Sequence, residues 1–173
     1  SQTYELVIAN LIGDSVMDVG TSLGLLPILI KERFPSKMVV GCDISNRSIE
    51  AAARLALAKD VSVDFRLADV TDPRFIGQAG IFDTVTAVHL LEHFTTQTCA
   101  IVMDNLYAIT RSRLIVCVPF ECGPTPWIVG HRQGFAALGA RYGDNWQLQS
   151  SPDGGILIID RREEELQRKV RGE

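Results

Sequence analysis

At 173 residues, with 46% hydrophobic and 22% charged side chains, the chain is long enough for one domain with a substantial core and lacks the polarity of a disordered protein. A net charge of -4 gives no electrostatic case for gripping a nucleic-acid backbone, and no apolar run approaches the length of a membrane span. The expectation is a cytoplasmic protein with no nucleic-acid or membrane partner, whose first residue, Ser1, hints at processing or excision from a longer chain.

In chain order, Leu6, Val7, Ile8 and Leu11 mark a short helix over 2–11 that ends near Gly13 and serves as a lid or packing element. A strand follows through Val16, Met17 and Val19. It runs into a turn with Gly20 and Gly24, and then into a helix over 25–34 whose first N–H groups face that turn. After Pro35-Ser36, a second strand over 38–43 stops on Asp43. Asn46 is the expected cap of a helix over 47–59, with Ile49, Ala52, Ala53 and Leu57 on its apolar face. Alternation over 61–69 predicts a third strand, again ending on an acid, Asp69. A fourth strand is expected over 82–91, a helix over 96–110 and a fifth strand over 113–120.

The stretch 121–131, with Gly123, Pro124 and Pro126, reads as a loop long enough to be functional. A helix over 131–140 and a hairpin of strands at 146–149 and 155–160 complete a single domain spanning 1–160, and the charged residues 161–173 read as a solvated tail. Strands alternating with helices, each strand nearly continuous in apolar residues, imply an α/β fold. It should be a Rossmann-like doubly wound sheet of about seven strands, mostly parallel with an antiparallel C-terminal hairpin. Cys42, Cys99, Cys117 and Cys122 form no CxxC pair and read as free thiols in a reducing compartment.

Open α/β sheets bind ligands outside the carboxyl ends of their strands, and two acids fall there. Asp43 can accept hydrogen bonds from both hydroxyls of a ribose. Asp69 can accept from an exocyclic amine such as that of adenine, with Ile44 and Val70 as apolar walls. The alternative reading of each acid alone is a surface group at a strand end.

With these residues in place, the sequence resembles the class I S-adenosylmethionine-dependent methyltransferases. The family's first motif appears as Asp18-Val-Gly20-Thr-Ser22-Leu-Gly24, its ribose acid as Asp43, its adenine-side acid as Asp69, and its fourth-strand motif as the run from Phe82 to His93. The resemblance runs from about Ser15 to Phe120, and the final hairpin matches the family's last two strands. It implies S-adenosylmethionine as cofactor and S-adenosylhomocysteine as product, with Asp18, Gly20, Thr21, Ser22, Gly24, Asp43, Ile44, Asp69, Val70, His89 and Leu90 around them. Ser22 stands where the family most often has Gly, and its hydroxyl could contact the methionine carboxylate.

A dinucleotide-binding oxidoreductase fits less well, because the glycines are spaced by four and Asp18 would repel a pyrophosphate. His89-Leu-Leu-Glu-His93 formally matches a zinc-protease pattern, but that pattern needs a helix, and the residues before it are strand-like. No metal is expected.

For an oxygen acceptor, methyl transfer needs positioning and a base. The candidates are His131, Glu121 and His93, with His131 and Glu121 as a possible dyad. The segment 118–135 looks like the corresponding loop of small-molecule O-methyltransferases, so the expected acceptor is a small molecule or a carrier- or sugar-linked metabolite. The place of the Asn/Asp-Pro-Pro-aromatic motif of nucleic-acid amino-methyltransferases is taken by Leu90-Leu-Glu-His93. Two further expectations stand beside this reading: a domain that binds the cofactor without catalysis and serves an assembly, and a dimer or larger assembly that completes the acceptor site.

Overall fold

The computed structural model describes residues 1–120 and 132–161. Helix α1 spans Gln2–Ala9 and is capped by Ser1, whose hydroxyl accepts from Tyr4 N. Seven strands follow: β1 (Ser15–Val19), β2 (Met38–Asp43), β3 (Asp64–Leu67), β4 (Phe82–Val88), β5 (Thr110–Pro119), β6 (Trp146–Ser151) and β7 (Gly154–Asp160). Five more helices connect them: α2 (Leu25–Arg33), α3 (Asn46–Ala58), α4 (Phe75–Ala79), α5 (Thr96–Ala108) and α6 (Arg132–Ala140), with a 3-10 turn at Leu91–His93.

The strands form one sheet in the order β3-β2-β1-β4-β5-β7-β6. The first five pair in parallel, and β7 lies antiparallel between β5 and β6. Period-two alternation assigns the faces. In β1, Val16 joins a core with Val7 and Ile8 of α1 and Leu26 and Ile30 of α2, while Met17 and Val19 join the opposite core with Phe75 of α4, Met103 of α5 and Phe135 of α6. Both faces are therefore covered, as parallel pairing requires. Chain order reverses between the neighbours β1 and β4, which opens a crevice at their carboxyl ends.

Several local expectations are corrected. The cap of α3 is Ser45, which takes a β conformation and accepts from Ser48 N at 3.2 Å; Asn46 is already helical. The buried positions of α3 are Ala52 and Ala56, whereas Leu57 is 81% exposed and Ala53 is also exposed, because the helix lies near the β3 edge and buries only a narrow stripe. β3 pairs over four residues only, since it is an edge strand with one partner, and Asp69 lies two residues beyond it. β4 ends at Val88 rather than at 91, because His89 takes φ +55 and leaves the strand. The helix expected to reach 110 stops at Ala108, and Thr110 already pairs with Phe82. The five-residue α4 is too short to show a hydrophobic period and was not anticipated.

Cys42, Cys99 and Cys117 are buried free thiols. Cys122, the loop over 121–131 and tail residues 162–173 lie outside the described residues. Among the described residues no helix is long and apolar enough to cross a membrane.

Candidate functional site

The turn after β1 is shaped by backbone geometry. Gly20 (φ +75), Ser22 (φ +50) and Gly24 (φ +73) all occupy the left-handed region. Gly20 N and Thr21 N both donate to Cys42 O at 2.9 Å, tying the turn to the end of β2. A Cβ on Gly24 would sit 2.6 Å from the Phe65 ring and 2.8 Å from Ala52, so this glycine lets α2 close against β3 and α3. The left-handed φ at Ser22 gives the physical reason a glycine suits that position.

Around this turn lies a cavity of about 630 Å³ at the carboxyl ends of β1, β2 and β4. Ten of the eleven expected cofactor residues line it: Asp18, Gly20, Thr21, Ser22, Asp43, Ile44, Asp69, Val70, His89 and Leu90. Gly24 is not among the lining residues, and its part is played through packing. His93 also lines the cavity, while Glu121 and His131 lie outside the described residues.

The acids are held in different ways. Asp43 accepts from Ser22 N at Oδ2 and from Ser45 N at Oδ1, both at 2.9 Å, so main chain fixes the plane of its carboxylate. Asp69 accepts at Oδ1 from Thr71 N at 2.8 Å and Thr71 Oγ1 at 2.7 Å, which makes a local turn. Asp18 is 3% exposed, and Thr86 Oγ1 donates to it at 2.7 Å. Burial lifts its carboxyl to about 6, against the pull of the Thr86 and Thr21 hydroxyls, and the Asp43 charge raises it further. The buried Thr21 Oγ1 is near enough to Asp18 to favour the ionised form, yet it completes no hydrogen bond of its own among the described residues. A buried acid beside an unsatisfied hydroxyl is a place where a polar, cationic ligand group recovers lost solvation.

On the other wall, His89 Nδ1 lies 3.3 Å from Glu92 Oε1. The carboxylate raises the imidazole above its ordinary value against the opposing effect of burial, with Asp153 in the β6–β7 turn adding to the rise. The His89 to His93 stretch is a strand exit followed by a 3-10 turn, not the helix that a zinc-protease pattern needs. Among the described residues no group of three or more His, Cys, Asp or Glu could hold a metal ion.

Sequence reasoning missed Tyr4 and Glu92. Tyr4 lines the cavity from α1, and burial and the Asp18 charge raise its phenol. Nothing local to residue 4 signals that contact, since it depends on α1 crossing the sheet face. Glu92 carried a signal, three residues after His89, that becomes a contact once the segment turns as a 3-10 helix.

Sheet order, turn and paired strand-end acids define a class I S-adenosylmethionine-dependent methyltransferase domain. The chain belongs to the family described as methyltransferase domain, whose model matches residues 16–113. It is similar to the demethylmenaquinone methyltransferase of Thermus thermophilus, with 32% identity over 113 residues, covering 64% of this chain and 48% of that protein. The chain thus spans about half the length of this curated relative. Its fold is similar to an O-methyltransferase family protein from Burkholderia thailandensis (TM-score 0.76, 18% identity, 93% of this chain and 56% of that one). It is also similar to magnesium protoporphyrin IX methyltransferase from Synechocystis with bound S-adenosylmethionine (TM-score 0.68, 23% identity, 92% and 77%).

Proposed function

We propose that the protein transfers a methyl group from S-adenosylmethionine to an oxygen of a small-molecule, carrier-bound or sugar-linked acceptor. The observation that carries this reading is the joint presence of Asp18, Thr21, Asp43 and Asp69 on one cavity at the carboxyl ends of β1 and β2. Asp43, with its plane fixed by two N–H groups, suits the paired hydroxyls of a ribose. Asp69, with Ile44 and Val70, suits the adenine, and Asp18 with Thr21 suits the methionyl ammonium group. When bound, the donor supplies an electrophilic methyl on a sulfonium.

The chain's own contribution is to orient the acceptor, exclude water and take a proton. His131, Glu121 and His93 are the bases this reading names from the sequence. Residues 1–160 form the methyltransferase domain, and the tail begins at 161. O-methylation draws support from the resemblance of the segment 118–135 to small-molecule O-methyltransferases.

Calorimetry with S-adenosylmethionine and S-adenosylhomocysteine tests the cofactor assignment, and release of S-adenosylhomocysteine in the presence of hydroxylated acceptors tests transfer. The expected result is binding of both ligands and acceptor-dependent product release, and full turnover in His131→Ala removes His131 from the candidate bases. Binding without turnover on any acceptor would favour the assembly role.

A further inference from the structure

His89 lines the cavity and pairs with a carboxylate, Glu92, that stands behind it and is not itself a lining residue. His89 leaves β4 with φ +55, while its N–H still donates to Cys117 O at 2.9 Å and so extends the ladder to β5. A non-glycine residue in the left-handed region is uncommon, histidine being one of the types that tolerate it, and such a conformation persists where the surroundings over-determine it. His89 lines the cavity while Nδ1 meets Glu92 Oε1 at 3.3 Å, which leaves Nε2 without a partner among the described residues.

Glu92 is held in place by the backbone of its turn. It sits in the 3-10 turn between buried Leu91 and His93, and its Oε2 is buried with no hydrogen-bond partner among the described residues. A carboxylate so placed gains most when the neighbouring imidazole carries a proton. Among the described residues the other charged group acting on His89 is Asp153 in the β6–β7 turn, and it works in the same direction. Among the described residues no cation opposes these two acids at His89.

We propose that His89, oriented by Glu92, stands beside the transferable methyl and is the base that receives the acceptor's proton, in place of a dyad in the 121–131 loop. This assignment rests on the methyltransferase reading given above. For a hydroxyl acceptor, the O–H proton passes to His89 Nε2 while an oxygen lone pair forms the new O–CH3 bond. The carbon–sulfur bond breaks and its electron pair stays on sulfur, leaving a neutral thioether. Glu92 is a positioning residue, since it acts through the imidazole.

The test follows the imidazole Cε1–H resonances by NMR as a function of pH. The chain has three histidines, and comparison with His89→Gln assigns the signal. In the ligand-free protein, the His89 midpoint should fall by about half a unit or more in Glu92→Gln. In the wild type, it should be lower with S-adenosylmethionine bound than with S-adenosylhomocysteine, because the two differ at the sulfur by a methyl and a positive charge. This second comparison needs no variant to fold and no acceptor to be known. An equal midpoint in the two complexes, or no response to Glu92→Gln in a folded protein, overturns the assignment alone. Absence of binding for both ligands in calorimetry overturns the methyltransferase reading with it.

Discussion

The two walls of the cavity are built by different means. On the β1–β2 wall, main chain does the holding: Gly20 N and Thr21 N bond to Cys42 O, and Ser22 N and Ser45 N fix Asp43. On the β4 wall, His89 and His93 stand on one left-handed residue and a single 3-10 turn, and His89 is met from behind by the Glu92 side chain. The first construction suits a ligand that is always the same, because backbone donors keep their positions whatever side chains surround them. The second suits a partner that differs among proteins of one fold, since a change of side chain re-aims the wall without disturbing the sheet.

The firmest way to break this contrast is to remove the group that the main chain orients. Asp43→Ala should weaken S-adenosylhomocysteine binding by about 3 kcal/mol, roughly a hundredfold, as two charge-assisted hydrogen bonds are lost. Calorimetry reads this directly, and a loss of only a few-fold would mean that the cavity walls, rather than the carboxylate, hold the ligand.

A somewhat smaller effect is expected at Asp18, and its sign depends on pH. The folded-state pKa is raised from 3.8 to about 6, so the native state holds the proton more tightly than the unfolded chain. The relative stabilisation from that proton is present below 3.8 and is lost as pH rises to about 6. At pH 8 the ligand-free fold therefore carries a penalty of order 3 kcal/mol from this one buried charge. Asp18→Asn should raise ligand-free stability at pH 8 by about 1 to 3 kcal/mol and by clearly less at pH 4, while weakening ligand binding. Denaturant titrations at the two pH values measure the difference, and an equal gain at both would remove the charge from the explanation.

The smallest expected effect sharpens the comparison at the turn itself. Ser22→Gly should stabilise the ligand-free protein by about 0.5 to 1 kcal/mol by relieving the left-handed strain, partly offset by the entropy of glycine in the unfolded chain. Thermal unfolding reads the change, and destabilisation would show that the Ser22 side chain contributes more than its backbone conformation costs.

The same division explains what was legible in the sequence. Asp43 was legible because a strand end places a residue at the sheet edge before anything is known about packing, and Asp69 because it follows its strand closely enough to reach the same edge, two residues past Leu67. Gly20 and Gly24 were legible as turn residues, although the reason for Gly24, the approach of Phe65 and Ala52, belongs to tertiary contacts. The cap of α3 was misread by one position because Ser45 and Asn46 are both good capping residues and only the backbone angle of Ser45 distinguishes them. Leu57 was assigned inward from its spacing, yet a helix at the margin of a sheet has no neighbour to cover it. Tyr4 could not be foreseen, since its place depends on how a remote helix crosses the sheet.

The position of β7 also bears on how the molecule comes into being on the ribosome. The β1–β4 segment and its turn can pair as they emerge, because each parallel strand finds a partner already made. β5 has one neighbour until β7 arrives, and β7 must enter between β5 and the earlier-made β6. The β1–β4 half of the sheet, with the cavity's turn and acids, can thus be assembled well before the β5–β7 half is closed. During that interval β5, with its buried run from Leu114 to Val118, is an open apolar edge, the segment of the nascent chain most in need of protection from aberrant pairing.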